Sequence, residues 1–243
     1  MAITTILFDL DGTLLPMDQD AFTKGYFQLL AAKLAPHGYE PKQLVEAIWA
    51  GTKAMVKNTG AQSNEEVFWK QFSAIYGAEV LADKPLFDSF YRDDFQKSKA
   101  FCGYNPKAAE TVRALKAMGY RIALATNPIF PAIATESRIC WTGLAPSDFE
   151  LYTTYENTSY CKPNVDYYWD ILRRMDRKPE ECLMVGNDAT EDMVAETIGM
   201  QVFLVTDCLI NREHKDICVY PRGSFDQLLH YVSTERAGRK YEN

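Results

Sequence analysis

The apolar run at residues 3–8 ends in two carboxylates, Asp9 and Asp11, and a glycine, Gly12, follows at once. Asp is a poor strand former, and two like charges this close repel each other. We therefore interpret the run as a buried strand that ends in a turn. The rest of the chain must cover this strand and supply positive charge for the two carboxylates.

From residue 99 onward, short apolar runs alternate with helical patterns. Strands are predicted at 120–125, 149–154, 182–185 and 201–205, and helices at 106–118, 130–140, 164–175, 190–198 and 224–234. Alternation at this spacing is typical of a parallel sheet with helices on both faces. The sequence therefore predicts an α/β fold.

Residues 18–98 have a different pattern, with helical spacing and no convincing strand. Phe68, Phe72 and Ile75 follow one helix face. Because the first strand precedes this block, we interpret it as an insertion. The α/β core domain then comprises 1–17 and 99–243, and 18–98 forms an all-helical domain. Its aromatic residues are interpreted as helix core, with a ligand pocket as the alternative for some of them.

Composition narrows the class of protein. The 243 residues suffice for one large domain or for a domain with an inserted one, and the net charge is −7. An acidic chain argues against nucleic acid or an anionic membrane as a partner. We find no membrane-spanning run and no secretion signal. The six cysteines include no CxxC pair, so we expect them to be reduced and the protein to be cytoplasmic.

Polar side chains follow the other predicted strands as well. They are Thr126 and Asn127 after the strand at 120–125, Lys162 just before the helix at 164–175, and Asn187, Asp188 and Asp192 after the strand at 182–185. Ligands of α/β sheets bind at the carboxyl ends of the strands. We therefore expect these side chains to lie together near Asp9 and Asp11.

The charges of this group do not balance. Asp9, Asp11 and Asp188 carry −3, Asp192 adds to that, and Lys162 returns only +1. A buried site of this kind needs a bound cation or bound protons. Carboxylate oxygens with few histidines suit Mg²⁺. Carboxylates, a hydroxyl, a lysine and Mg²⁺ together indicate phosphoryl transfer.

In chain order, these groups resemble the four motifs of the haloacid dehalogenase superfamily. The matching residues are Asp9-Leu-Asp11-Gly-Thr13, Thr126, Lys162-Pro163, and Gly186-Asn-Asp188 with Asp192. The resemblance implies a Rossmann-like sheet with strand order 3-2-1-4-5. It also implies that the helical insertion is a type I cap.

The resemblance implies catalytic roles for four residues. Asp9 is expected to attack phosphorus and form an aspartyl-phosphate. Asp11 is expected to protonate the leaving oxygen and then to activate water. Thr126 is expected to bind the phosphoryl oxygens, and Lys162 to bind them and neutralise their charge.

The remaining site residues follow from the same resemblance. The backbone N–H of Asn127 is expected to bind a phosphoryl oxygen. Mg²⁺ is expected to be held by Asp9, by Asp11 through its backbone carbonyl, and by Asp188. Many relatives carry Asp where this chain has Asn187. The coordination is therefore open, with Asn187 and Asp192 as further candidate ligands.

The function predicted is a Mg²⁺-dependent phosphatase for a small phosphorylated metabolite, acting as a monomer or homodimer. The alternatives are a phosphoglucomutase-type phosphoryl transferase, a haloacid dehalogenase and a non-catalytic phosphometabolite sensor. Asp11 counts against the dehalogenase, and Asp9 counts against the sensor. Candidates for contacting an anionic leaving group, each more typical of a solvated surface, are Lys24, Lys53, Lys57 and Arg92.

Overall fold

A computed structural model describes the backbone of residues 2–238 and shows a six-stranded sheet. The strands are β1 (Thr5–Phe8), β2 (Arg121–Leu124), β3 (Leu151–Tyr152), β4 (Cys182–Gly186), β5 (Gln201–Val205) and β6 (Arg222–Gly223). Their order is β3-β2-β1-β4-β5-β6, and every pairing is parallel. The predicted α/β class and the implied 3-2-1-4-5 order are confirmed. Strand β6 was not predicted.

The central strand β1 sets the position of the carboxyl edge of the sheet. It is buried along its whole length and pairs with β2 on one side and β4 on the other. Phe8 lies opposite Leu124 of β2 and Val185 of β4. The residues that follow these three positions therefore leave the sheet side by side, as expected for the ligand edge of an α/β fold.

Helices cover both faces of the sheet. They are α5 (Pro106–Ala117), α6 (Ala132–Trp141), α7 (Val165–Met175) and α8 (Phe225–Gly238). Side chains alternate between the faces of a strand. Accordingly, Phe8 joins an apolar cluster that includes Val112 of α5 and Leu228 of α8, whereas Leu7 packs in a second cluster with Ile171 of α7.

Two predicted elements are shorter in the structure than in the prediction. The helix predicted at 190–198 is a 3₁₀ helix at Met193–Ile198. A turn at residues 189–192 precedes it, and a carboxylate oxygen of Asp188 accepts the N–H groups of Thr190 and Glu191 in this turn. The strand predicted at 149–154 is reduced to β3, which is an edge strand.

Residues 19–101, here called the helical segment, connect β1 to α5. The segment contains α1 (Gln19–Leu34), α2 (Pro41–Val56), α3 (Asn64–Tyr76) and α4 (Lys84–Arg92), with 3₁₀ helices at Ala35–His37, Ala78–Asp83 and Asp94–Phe101. These described residues include no strand. The predicted boundary between 98 and 99 falls inside the last 3₁₀ helix, and the division into two domains stays a prediction.

The helical segment and the sheet share one apolar cluster. This cluster runs from Phe8 of β1 to Phe22 of α1 and to Phe95. The rings of Phe22 and Phe130 meet edge to face at 6.5 Å, and those of Phe95 and Trp141 stack at 5.4 Å. Aromatic contacts of this kind hold the helical segment against the region that follows β2.

Candidate active site

Asp9 is the first residue beyond β1, and two side chains fix its carboxylate. Its N–H donates to the carbonyl of Val185, which continues the pairing with β4. The ammonium of Lys162 donates to Oδ1 at 2.9 Å, and the hydroxyl of Thr13 donates to Oδ2 at 3.0 Å. Only 10% of the side chain is exposed. The carboxylate is therefore oriented before any ligand arrives.

Gly12 allows the loop after Asp9 to turn tightly. Its φ is +87°, and its N–H donates to the carbonyl of Leu15 at 2.8 Å. A Cβ at this position would lie 2.3 Å from Nδ2 of Asn187. Both the backbone conformation and the close approach therefore require glycine.

Lys162 lies buried behind Asp9, between two carboxylates. Its ammonium donates to Asp192 at 2.6 Å as well as to Asp9. Burial lowers the pKa of Lys162, but Asp192 and Asp9 outweigh burial and raise this pKa well above its usual value. The other oxygen of Asp192 accepts the N–H of Asp188 at 2.9 Å. Asp192 therefore has both oxygens occupied, and it holds Lys162 in place.

Asp11 has a partner that the sequence analysis missed. Arg138 of α6 is 0% exposed, and its Nη1 donates to Oδ2 of Asp11. Its Nε donates to the carbonyl of Ala134 at 3.3 Å, and its guanidinium lies 4.4 Å from the centre of the Phe130 ring. Oδ1 of Asp11 is buried with no hydrogen-bond partner. Burial raises the pKa of Asp11, and Arg138 opposes that rise.

One sequence signal points to Arg138. The buried face of α6 includes Ala134, Thr135 and Ile139, and the arginine lies on this face. A charged residue on the buried face of a helix is rare unless it is paired. The sequence alone does not name the partner, because 127 positions separate Arg138 from Asp11.

Thr126 and Asn127 follow β2 at the same edge. The carbonyl of Thr126 accepts the hydroxyl of Tyr167 at 2.8 Å, which fixes its backbone. The side-chain amide of Asn127 donates to Glu191 at 3.0 Å, and its Oδ1 is buried without a partner. Glu191 was not among the predicted site residues. Burial raises its pKa to about 7.

Asn187 joins two loops at the edge of the sheet. Its amide donates to the carbonyl of Cys208 at 2.6 Å, and its Oδ1 lies 3.0 Å from the hydroxyl of Thr13. The neighbouring Asp188 uses Oδ1 to accept backbone N–H groups of the next turn. Asn187 is therefore held in the protein scaffold, while Asp188 lines the cavity described next.

A cavity of about 260 Å³ opens at this edge. Most predicted site residues line it, namely Asp9, Asp11, Thr126, Asn127, Asn187, Asp188 and Asp192. Lys162 is not part of its lining and reaches Asp9 from behind. The opposite wall consists largely of aromatic side chains from the helical segment. The structure thus brings the four sequence motifs together.

The donors at this edge fit Mg²⁺. Among the described residues, no three side chains of Asp, Glu, His or Cys converge as a metal site. Mg²⁺ does not require such a cluster, because it usually binds one or two carboxylates, several waters and a substrate phosphate. Asp9 and Asp188 line the same cavity, and the unpartnered Oδ1 of Asp11 lies beside it. The carboxylates of the edge outnumber its two cations, Lys162 and Arg138.

Comparison with protein families identifies the family of this chain. A family model described as haloacid dehalogenase-like hydrolase matches residues 3–195, which is more than half of the chain. The chain belongs to the haloacid dehalogenase-like hydrolases. Its place in this family makes it a hydrolase.

Two curated relatives of this hydrolase are named as phosphatases. A glyceraldehyde 3-phosphate phosphatase of Methanothermobacter thermautotrophicus is 32% identical over 46% of this chain, and the match spans 49% of that relative. The pyrophosphatase PpaX of Bacillus thuringiensis is 22% identical over 88% of both proteins. The chain thus spans only about half the length of the first relative.

Solved structures of the family share the fold of this hydrolase. A 2-haloacid dehalogenase from Pseudomonas syringae superimposes with a TM-score of 0.62 at 20% identity, covering 96% of this chain and 99% of that chain. The HAD-hydrolase YfnB from Bacillus subtilis, bound to magnesium, gives 0.56 at 20% identity with the same coverage. At this identity the likeness shows the fold alone.

No helix among residues 2–238 is both long and apolar enough to cross a bilayer.

Proposed function

We propose that this hydrolase is a Mg²⁺-dependent phosphatase that hydrolyses a small phosphomonoester through an aspartyl-phosphate. The observation that carries the proposal is the fixed carboxylate of Asp9, held by Lys162 and Thr13 at the wall of the cavity. A carboxylate that is fixed before binding is suited to in-line attack on a bound phosphoryl group.

In the first step, a carboxylate oxygen of Asp9 attacks phosphorus. The bond between phosphorus and the ester oxygen breaks, and that oxygen takes a proton from Asp11. This step needs Asp11 in its protonated form. Burial raises the pKa of Asp11 in that direction, and its ion-pair partner Arg138 opposes the rise. The products are the alcohol and an aspartyl-phosphate.

In the second step, a water molecule attacks phosphorus and gives a proton to Asp11. The bond between phosphorus and the Asp9 oxygen breaks, and inorganic phosphate leaves. Thr126 and the N–H of Asn127 bind the phosphoryl oxygens. Lys162 neutralises negative charge through the carboxylate that it contacts. The second step returns to Asp11 the proton that the first step removed.

Asp9, the backbone carbonyl of Asp11 and Asp188 would hold Mg²⁺. When bound, Mg²⁺ supplies positive charge that offsets the repulsion between a carboxylate and a phosphate. We propose that Asn187 and Asp192 position other residues and do not bind the metal. Each is only 1% exposed, less than Asp9, and its side chain contacts the protein.

We also propose that the helical block at 18–98 acts as a cap domain that closes the cavity over the substrate. The aromatic wall of the cavity supports this role, because most of its rings come from that block. The net charge of −7 supports a small molecule as the partner and not a nucleic acid.

The test is hydrolysis of p-nitrophenyl phosphate with Mg²⁺ and with excess chelator. We expect activity with Mg²⁺ only, and we expect Asp9→Asn to abolish turnover while the urea unfolding curve stays close to that of the wild type. Full activity in excess chelator would disprove the metal requirement. Substantial turnover by Asp9→Asn would disprove the role of the nucleophile, and chloride release from 2-chloropropionate would favour a dehalogenase.

A further inference from the structure

The cavity extends from the phosphoryl site into a largely aromatic wall. Beyond Asp9 and Thr126 it is lined by rings from α1, α2, α3, α4 and the loops after β2 and β3. The rings that carry the argument are Phe27, Trp49, Tyr91 and Phe130. The leaving group of a bound phosphoester lies on the side of phosphorus away from Asp9, because attack is in line. The alcohol part of the substrate therefore faces these rings.

Cations are scarce along this wall. Among the described residues that line the cavity, Arg212 is the one cation; its side chain is 73% exposed and lies 3.8 Å from Asp20. Lys24, Lys53, Lys57 and Arg92, the candidates from sequence, are exposed and do not line the cavity.

Besides Asp192, which is paired with Lys162, two carboxylates outside the proposed metal set line the cavity, namely Asp88 and Glu191. A second anionic group on a substrate would meet aromatic faces and carboxylates there. An unpaired charge in such a place is strongly unfavourable. The wall therefore selects against substrates with a second negative group.

Trp49 distinguishes this wall from ordinary core. It is 51% exposed although it lines the cavity, and its ring packs 5.6 Å from that of Phe27. By contrast, Phe72 and Phe90 do not line the cavity, are buried among other rings and serve the core. A large ring left half exposed at a cavity wall offers apolar surface for a ligand to cover.

We propose that the substrates are phosphomonoesters with an uncharged aromatic or apolar alcohol part, which packs against Trp49 and Phe27. This inference rests on the proposed phosphatase function and specifies its substrate class. Pyrophosphate and phosphorylated carboxylic acids are expected to be poor substrates. The cation that lines the cavity for their second anion, Arg212, is 73% exposed and lies beside Asp20.

The experiment compares three alkyl phosphates, so that activation of the leaving group does not decide the result. They are 2-phenylethyl phosphate, phosphoglycolate and methyl phosphate, each assayed by phosphate release with Mg²⁺ and the full chain. We expect kcat/KM for 2-phenylethyl phosphate to exceed that for phosphoglycolate by about 10²-fold. Equal or faster hydrolysis of phosphoglycolate overturns the inference and leaves the phosphatase function standing. If none of the three phosphates is hydrolysed, both the inference and the proposed phosphatase function are contradicted.

A matched pair of variants tests the contact itself. Trp49→Ala is expected to raise KM for 2-phenylethyl phosphate about tenfold and to raise KM for methyl phosphate much less, because methyl phosphate has no ring to pack against Trp49. The control is Trp169→Ala, because Trp169 on α7 is 45% exposed and does not line the cavity. A KM for 2-phenylethyl phosphate that Trp49→Ala leaves unchanged, or that both variants raise alike, overturns the inference.

Discussion

Asp11→Ala should destabilise the protein because it leaves a buried guanidinium unpaired. Arg138 is 0% exposed, and Asp11 is its carboxylate partner. Removing one partner of a buried ion pair typically costs about 3–5 kcal/mol. Two features favour a cost at the lower end of this range. The Asp11 side chain is 22% exposed, and its removal relieves the repulsion with Asp9. We expect a loss of about 3 kcal/mol in the free energy of unfolding.

Removal of the other partner, Arg138, should lower the free energy of unfolding by a smaller amount. Arg138→Met leaves Asp11 without its cation, but water reaches the partly exposed carboxylate, so we expect a loss of about 1–2 kcal/mol. The double variant leaves no unpaired charge from this pair. We therefore expect it to be less destabilised than the sum of the single variants, with a coupling energy of about 2 kcal/mol.

Urea unfolding with chelator present, followed by tryptophan fluorescence at one fixed pH, measures these differences. Arg113→Met is the matched control, since Arg113 is an exposed arginine that donates to the carbonyl of Gly143. Its effect should stay within about 0.5 kcal/mol. A cost below about 1 kcal/mol for Asp11→Ala, or strict additivity in the double variant, would refute the reasoning.

Two further predictions concern the loop after β1 and the acidic edge. Gly12→Ala should lower the free energy of unfolding by about 2 kcal/mol or more, because its φ of +87° and the contact with Asn187 exclude a Cβ; a stability equal to wild type in urea would contradict this. The pKa of Glu191 is raised to about 7 in the fold, so its carboxyl binds a proton more tightly in the folded state and stability falls as pH rises from about 4.5 through 7. With chelator, Glu191→Gln should lose less stability over this range, and parallel curves for both proteins would contradict the assignment.

The parts of the site that the sequence predicts are those set by local pattern. The apolar runs of β1, β2 and β4 end in polar residues. Parallel strands have their carboxyl ends at the same edge of the sheet, so these residues come together there. Asp9, Asp11, Thr126, Asn127 and Asp188 accordingly line one cavity.

The parts that the sequence misses depend on long-range contacts. Arg138 meets Asp11 across 127 positions, and a helix pattern carries no information on that distance. The 3₁₀ helix at Met193–Ile198 stands where the pattern predicts an α-helix, after a turn in which Asp188 accepts two backbone N–H groups. Strand β6, two residues long, is too short to leave an apolar run.

The apolar cluster shared by the sheet and the helical segment has a consequence for how this enzyme can evolve. Phe22 and Phe95 pack against Phe130 and Trp141, which lie beyond β2. Exchange of the whole segment for that of a relative would leave rings on both sides without partners, so recombination is a poor route to new specificity. Point substitutions at the half-exposed Trp49 do not disrupt this cluster. We therefore expect substrate specificity to diverge first at this position.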